Sequence, residues 1–253
     1  MIGPVCRYSL REALRNRLLA LVAALLLVVF LLAEFVGAVA ITEHVQVEAV
    51  TAASVLRLGA VLLVALFVVT TLLREDQEGM LEQLLALSSP RASYVVGKLA
   101  AYLVVAVAVA LACGLVTLLY APPVAVARWT LSLACELWIV AGFGLLLAIT
   151  FRQPVAALAG VGSVYVLARA MGALLLIMGQ PLLGGGGAGR TVVDAVLTGL
   201  AWLLPSLYRF TNAGWLAWGG GSWSEVGVVL GQTGVYLPLL AAAAAFDLHR
   251  REF

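Results

Sequence analysis

Hydrophobic residues along this chain gather into long, nearly unbroken blocks with short polar breaks between them. Six blocks, at 18–41, 50–73, 99–120, 129–150, 155–178 and 226–246, meet or approach the roughly 20 residues that a helix rising about 1.5 Å per residue needs to cross a hydrocarbon core. The pattern predicts an all-α integral membrane protein, a single domain over 1–253 with six transmembrane helices. Composition points the same way: 64% of residues are apolar and 11% charged, with a mean hydropathy of +1.09, whereas a soluble domain is nearer about half apolar. The first block is longer than the apolar core of a secretion signal and lacks a small-residue cleavage site, so it is expected to remain as a span.

The breaks between blocks have their own patterns. Over 1–17, Arg7, Arg11 and Arg15 recur every four residues while Ile2, Val5, Cys6, Leu10, Ala13 and Leu14 crowd the other face, which predicts a helix lying in the membrane interface. A frayed start to the first span is the alternative. Ala121-Pro122-Pro123 predicts a short turn between the third and fourth spans. The break at 180–225 is long and holds a second apolar stretch, 192–204, followed by Pro205. Its thirteen residues suit a re-entrant or interfacial helix, with Trp202, Tyr208, Trp215, Trp218 and Trp223 at headgroup depth. A seventh span is the competing reading.

Charge sets the orientation. Of the 15 Lys and Arg residues, ten fall on one side of the six blocks: Arg7, Arg11, Arg15, Arg17, Arg74, Arg91, Lys98, Arg152, Arg250 and Arg251. Arg57, Arg128, Arg190 and Arg209 fall on the other, and Arg169 lies within a span. By the positive-inside rule both termini and the 74–98 segment are cytoplasmic. The net charge of +2 reflects this asymmetry and suggests no nucleic-acid partner.

Signatures of catalysis are missing. Gly184 to Thr191, GGGGAGRT, approaches a phosphate-binding loop, but Arg190 stands where the pattern has lysine and no strand precedes it, so a flexible hinge is expected. The histidines, His44 and His249, lie outside the blocks, and Gly162-Ser163 lacks the second glycine of a nucleophile elbow. Glu43, His44 and Glu48 on an exposed loop are expected to be solvated rather than to hold a metal. Cys6, Cys113 and Cys135 have no paired spacing and read as small apolar residues. No catalytic role, metal or cofactor is expected of the chain itself.

Charges inside the bilayer are costly and need an account. Glu34 sits about 24 Å up the first span, Arg169 about 22 Å up the fifth, and Glu136 about 10 Å in from the far start of the fourth. These heights nearly coincide in a core about 30 Å thick, and Arg57 is close by. A two-plus-two neutral layer is expected, with Arg169 paired to Glu136 or Glu34. It either lines or locks the outer end of a path through the bundle, or serves as a static ion pair or snorkelling group.

The 74–98 segment is amphipathic: Arg74, Glu75, Asp76 and Glu78, then Gly79, then Met80-Leu81-Glu82-Gln83-Leu84-Leu85, a stop at Ser88-Ser89-Pro90, and Arg91, Tyr94 and Lys98 leading into the third span. Read alone it is a short surface helix or a solvated loop. Together with the six spans, both ends inside, the long outer break and the basic tail His249-Arg250-Arg251, it resembles the ABC-2 permeases, the membrane subunits of ATP-binding-cassette exporters. The likeness extends over the whole chain.

That resemblance implies a half-size permease in a bacterial-type inner membrane that pairs with a second copy and docks a separate ATPase subunit. ATP and Mg would be bound by the partner. It implies that 74–98 is a coupling segment, mapped here to Glu75, Asp76, Glu78, Gly79, Leu81, Glu82 and Leu85. It also implies that 180–225 is an outer gate, with Leu203, Pro205, Tyr208 and Trp215 near the exit. A polytopic scaffold without an ATPase and a secondary transporter are the rival classes; no internal repeat is seen for the latter.

Overall fold

The computed structural model describes residues 18–39, 44–78, 91–178 and 188–250. In chain order they form α1 (Leu18–Val39), α2 (His44–Gln77), α3 (Arg91–Thr117), α4 (Pro123–Phe151), α5 (Pro154–Met178), α6 (Ala188–Leu203), a 3-10 turn (Leu207–Arg209), α7 (Gly214–Ala217) and α8 (Trp223–Arg250). No strand occurs among the described residues. Six of the helices, α1 to α5 and α8, are long and apolar enough to cross a membrane, and each overlaps one of the six blocks read from the sequence. The chain is a multi-pass membrane protein. The interfacial helix expected over 1–17, residues 79–90 of the expected coupling segment and the glycine run 184–187 lie outside the described residues.

The helices outrun the apolar blocks where polar residues still suit a helix. α2 extends through Arg74, Glu75, Asp76 and Gln77, and α3 begins at Arg91. α3 stops at Thr117, short of the expected 120, because Leu119 and Tyr120 donate to Val116 and Thr117 in tight three-residue turns. Pro122 then takes an extended conformation and Pro123 opens α4, where its missing N–H costs nothing. At the other end of α4, Arg152 adopts a left-handed φ of 53° and donates its N–H to the Ala148 carbonyl. Pro154 starts α5 at once, so α4 and α5 are antiparallel neighbours. α6 has 16 residues, about 24 Å at full helical rise, and is shorter than any of the six spans.

α4 is the hub. It packs against α2, α3, α5 and α8, and 72% of its most apolar window is buried, against 17% for α1 and 22% each for α5 and α8. In a bilayer, apolar burial between helices gains little over lipid, so close approach through small residues carries the association. Gly142 and Gly144 provide it: a Cβ at Gly142 would meet Leu240 Cδ1 of α8 at 2.9 Å, and one at Gly144 would meet Val68 Cγ1 of α2 at 3.1 Å. The free thiols of Cys113 and Cys135 are buried in this packing.

Candidate functional site

After α6 the chain folds back into the bundle. Leu207, Phe210, Thr211, Trp215 and Leu216 are all buried, although this stretch has little regular helix. Non-helical backbone at membrane depth needs every N–H and C=O covered by protein, and the charged and polar residues of the spans supply the cover. Arg169 Nη1, on α5, donates to the carbonyls of Leu207 at 2.7 Å and Phe210 at 2.9 Å. Ser132 Oγ, on α4, accepts the Thr211 N–H at 2.9 Å, and Arg57 Nη1, on α2, donates to the Thr211 carbonyl at 3.3 Å.

Glu136 sits beneath this segment with no exposed surface. Its Oε1 accepts from the Tyr165 hydroxyl at 2.8 Å, its Oε2 accepts from the Thr211 hydroxyl, and Arg169 Nη1 lies 3.5 Å from Oε1. Thr211 therefore uses its N–H, its carbonyl and its hydroxyl at once. It does so with φ at 48°, a left-handed conformation that a β-branched residue adopts at a cost. Three helices and one irregular segment meet here around a single carboxylate.

The expected charge layer is only partly assembled. Glu136, Arg169 and Arg57 converge on one segment, but Glu34 does not join them. α1 buries Leu18, Val22, Val29 and Ala33, and Glu34 points off that stripe, exposed and beside Tyr120. The neutral two-plus-two layer thus becomes one carboxylate with two guanidinium groups. Of the two candidate partners for Arg169, the structure selects Glu136. Sequence reasoning missed Ser132, Tyr165 and Thr211. Ser132 precedes Glu136, and Tyr165 precedes Arg169, by four residues, which puts each pair on one helical face. Thr211 carried no such signal.

The residues expected near an outer gate occupy different environments. Leu203 is exposed at the end of α6, while Pro205 and Trp215 are buried. Tyr208 is half-buried against Gly172, where a Cβ would meet Tyr208 Cγ at 2.7 Å. Trp215 lies under Gly221, whose φ of 85° and close approach exclude a side chain.

A second buried cluster lies at the opposite end of the bundle, where α2 finishes and α3 begins. Lys98 and Glu75, each 1% exposed, form an ion pair. The Tyr94 hydroxyl donates to Glu75 Oε2 at 3.0 Å, and Lys98 Nζ stands 5.8 Å from the centre of the Tyr102 ring. Tyr94, Lys98 and Tyr102 repeat every four residues on one face of α3. Glu75, expected on a docking surface, faces inward. Asp76 is half-buried, and Glu78 lies in an exposed turn with its carboxylate 3.3 Å from Arg74 Nε. Gly79, Leu81, Glu82 and Leu85 lie outside the described residues.

Among the described residues no group of three or more His, Cys, Asp or Glu is arranged to hold a metal ion. In comparisons with known proteins, no family model and no curated protein matches the chain.

Proposed function

We propose that this chain is the permease subunit of an ATP-binding-cassette transporter, paired with a second copy and driven by a separate ATPase. The observation that carries the reading is the acidic, amphipathic 74–98 segment between the second and third of six spans. The Lys98–Glu75–Tyr94 cluster supports it, because it ties both roots of that segment together. A push on the segment is then delivered to α2 and α3 as a pair. The partner ATPase would bind ATP and Mg; the chain supplies levers and a path, with export as the direction. Alternating inward- and outward-open states would be favoured in turn by the nucleotide state of the ATPase.

The test is co-expression with the candidate ATPase and purification in detergent, comparing wild type with Glu78→Arg plus Glu82→Arg. Loss of a stable, ATP-hydrolysing complex only in the charge-reversed protein supports the reading. A correctly inserted wild type that binds no ATPase turns it toward a membrane scaffold.

A further inference from the structure

A cavity of about 400 Å³ opens beside the re-entrant segment, lined by Tyr208, Arg209, Asn212, Trp215, Glu225 and Val228. We propose that it binds the zwitterionic headgroup of a membrane phospholipid, with Arg209 taking the phosphate and Glu225 the ammonium. The inference rests on the membrane placement of the six spans and is independent of the transporter reading.

The two charges have opposite sign and come from different elements, the 3-10 turn and the first turn of α8. They make no ion pair with each other among the described residues. Arg209 is steered by Tyr208: its Nε donates to the Tyr208 hydroxyl at 3.2 Å, and its guanidinium carbon lies 5.6 Å from the ring centre. That leaves the Nη groups for an anion, which a guanidinium binds well. Glu225 offers a carboxylate to a cation, and Trp215 lines the cavity with an aromatic ring of the kind that ammonium groups favour. The volume is at the small end for ligand sites and suits a headgroup rather than a whole lipid.

The walls are held in place before any ligand arrives. Arg169 fixes the carbonyls of Leu207 and Phe210, on either side of Tyr208 and Arg209. Asn212 Oδ1 accepts the Gly214 N–H at 2.9 Å. Such preorganisation lowers the entropic cost of binding. Exposed Trp218 and Trp223 flank the cavity's lining residues along the chain, as aromatic residues do at headgroup depth. From the cavity, exposed Val228, Val235 and Leu239 follow one face of α8 into the apolar zone, a track for the acyl chains that a soluble zwitterion would not need.

The test is native mass spectrometry of the full chain purified in detergent with equal amounts of phosphatidylethanolamine and phosphatidylglycerol. Wild type is expected to retain the zwitterionic lipid over the anionic one. Glu225→Gln should reduce that preference about tenfold, the effect of losing one charge-assisted hydrogen bond, while Arg209→Gln lowers retention of both. Both side chains are exposed, so the variants are expected to fold. Equal retention of the two lipids by wild type, or an undiminished preference in Glu225→Gln, overturns the proposal. Displacement by glycerophosphoethanolamine as effective as by the intact lipid overturns the lipid assignment in favour of a soluble zwitterion.

Discussion

Arg169 Nη1 stands 3.5 Å from Glu136 Oε1 but donates at 2.7 Å to the Leu207 carbonyl and at 2.9 Å to that of Phe210. Its shortest contacts are therefore to backbone, with the carboxylate as the more distant neighbour. Charges inside a bilayer are costly, and so are unpaired carbonyls. Placing one guanidinium between a carboxylate and two carbonyls answers both costs together. The same logic accounts for Arg57, whose neighbour is again a carbonyl of the irregular segment, that of Thr211.

Removing Arg169 should leave Glu136 buried without its counter-charge. Arg169→Ala is expected to destabilise the protein by about 3–5 kcal/mol, the scale for breaking a buried ion pair from one side. Arg169→Ala combined with Glu136→Gln should recover part of that loss, because no buried carboxylate is then left without the Arg169 charge. Denaturation in detergent micelles measures both. A double variant whose loss equals the sum of the two single losses would show that the two residues are not coupled.

Thr211 separates backbone strain from hydrogen bonding. Thr211→Ser keeps the hydroxyl donor to Glu136 and removes the β-branch from a left-handed residue, so stability should hold or rise slightly. Thr211→Val keeps the shape and the branch but removes the donor, with an expected loss of about 1–3 kcal/mol. The order serine, then wild type, then valine, read from thermal unfolding of the purified protein, is the expected outcome; valine equal to wild type would mean that the hydroxyl contributes nothing.

The six spans were legible because their signal is a length of apolar sequence, and no tertiary information is needed to read it. The charge layer was legible only to the level of height along the bundle. Depth can be counted from a helix start, which brought Arg57, Glu136 and Arg169 together, but the facing of a helix cannot, which is why Glu34 was included. Glu75 illustrates the same gap: its acidic neighbours suggested a surface, whereas Lys98, 23 positions later, draws it inward. The role of Arg169 toward Leu207 and Phe210 depended on a chain reversal that a run of glycine, proline and tryptophan residues does not specify.

The Lys98–Glu75 pair should behave as a buried unit. Lys98→Met leaves a buried carboxylate and is expected to cost about 3–5 kcal/mol, while Lys98→Met with Glu75→Leu should recover most of it. The Tyr94 hydroxyl would lose its acceptor in the double variant, so full recovery is not expected. Unfolding in micelles, with membrane insertion checked separately, distinguishes these outcomes; equal losses in the single and double variants would mean that the pair is not what holds these helix ends together.

Contact between α4 and α8 depends on the absence of a side chain at Gly142. A Cβ there would come within 2.9 Å of Leu240 Cδ1 and 3.4 Å of Leu240 Cβ, so one neighbour supplies both of the close contacts. Gly142→Ala should therefore force Leu240 aside and cost about 1–3 kcal/mol, as overpacking does. Leu240→Ala alone opens a void, because Leu240 is buried, and is expected to be destabilising as well. Combined, the two substitutions exchange a small–large contact for two small residues, and the double variant should be more stable than the two separate losses predict. If their effects on the unfolding temperature simply add, Gly142 and Leu240 are not the contact that sets the spacing of these helices.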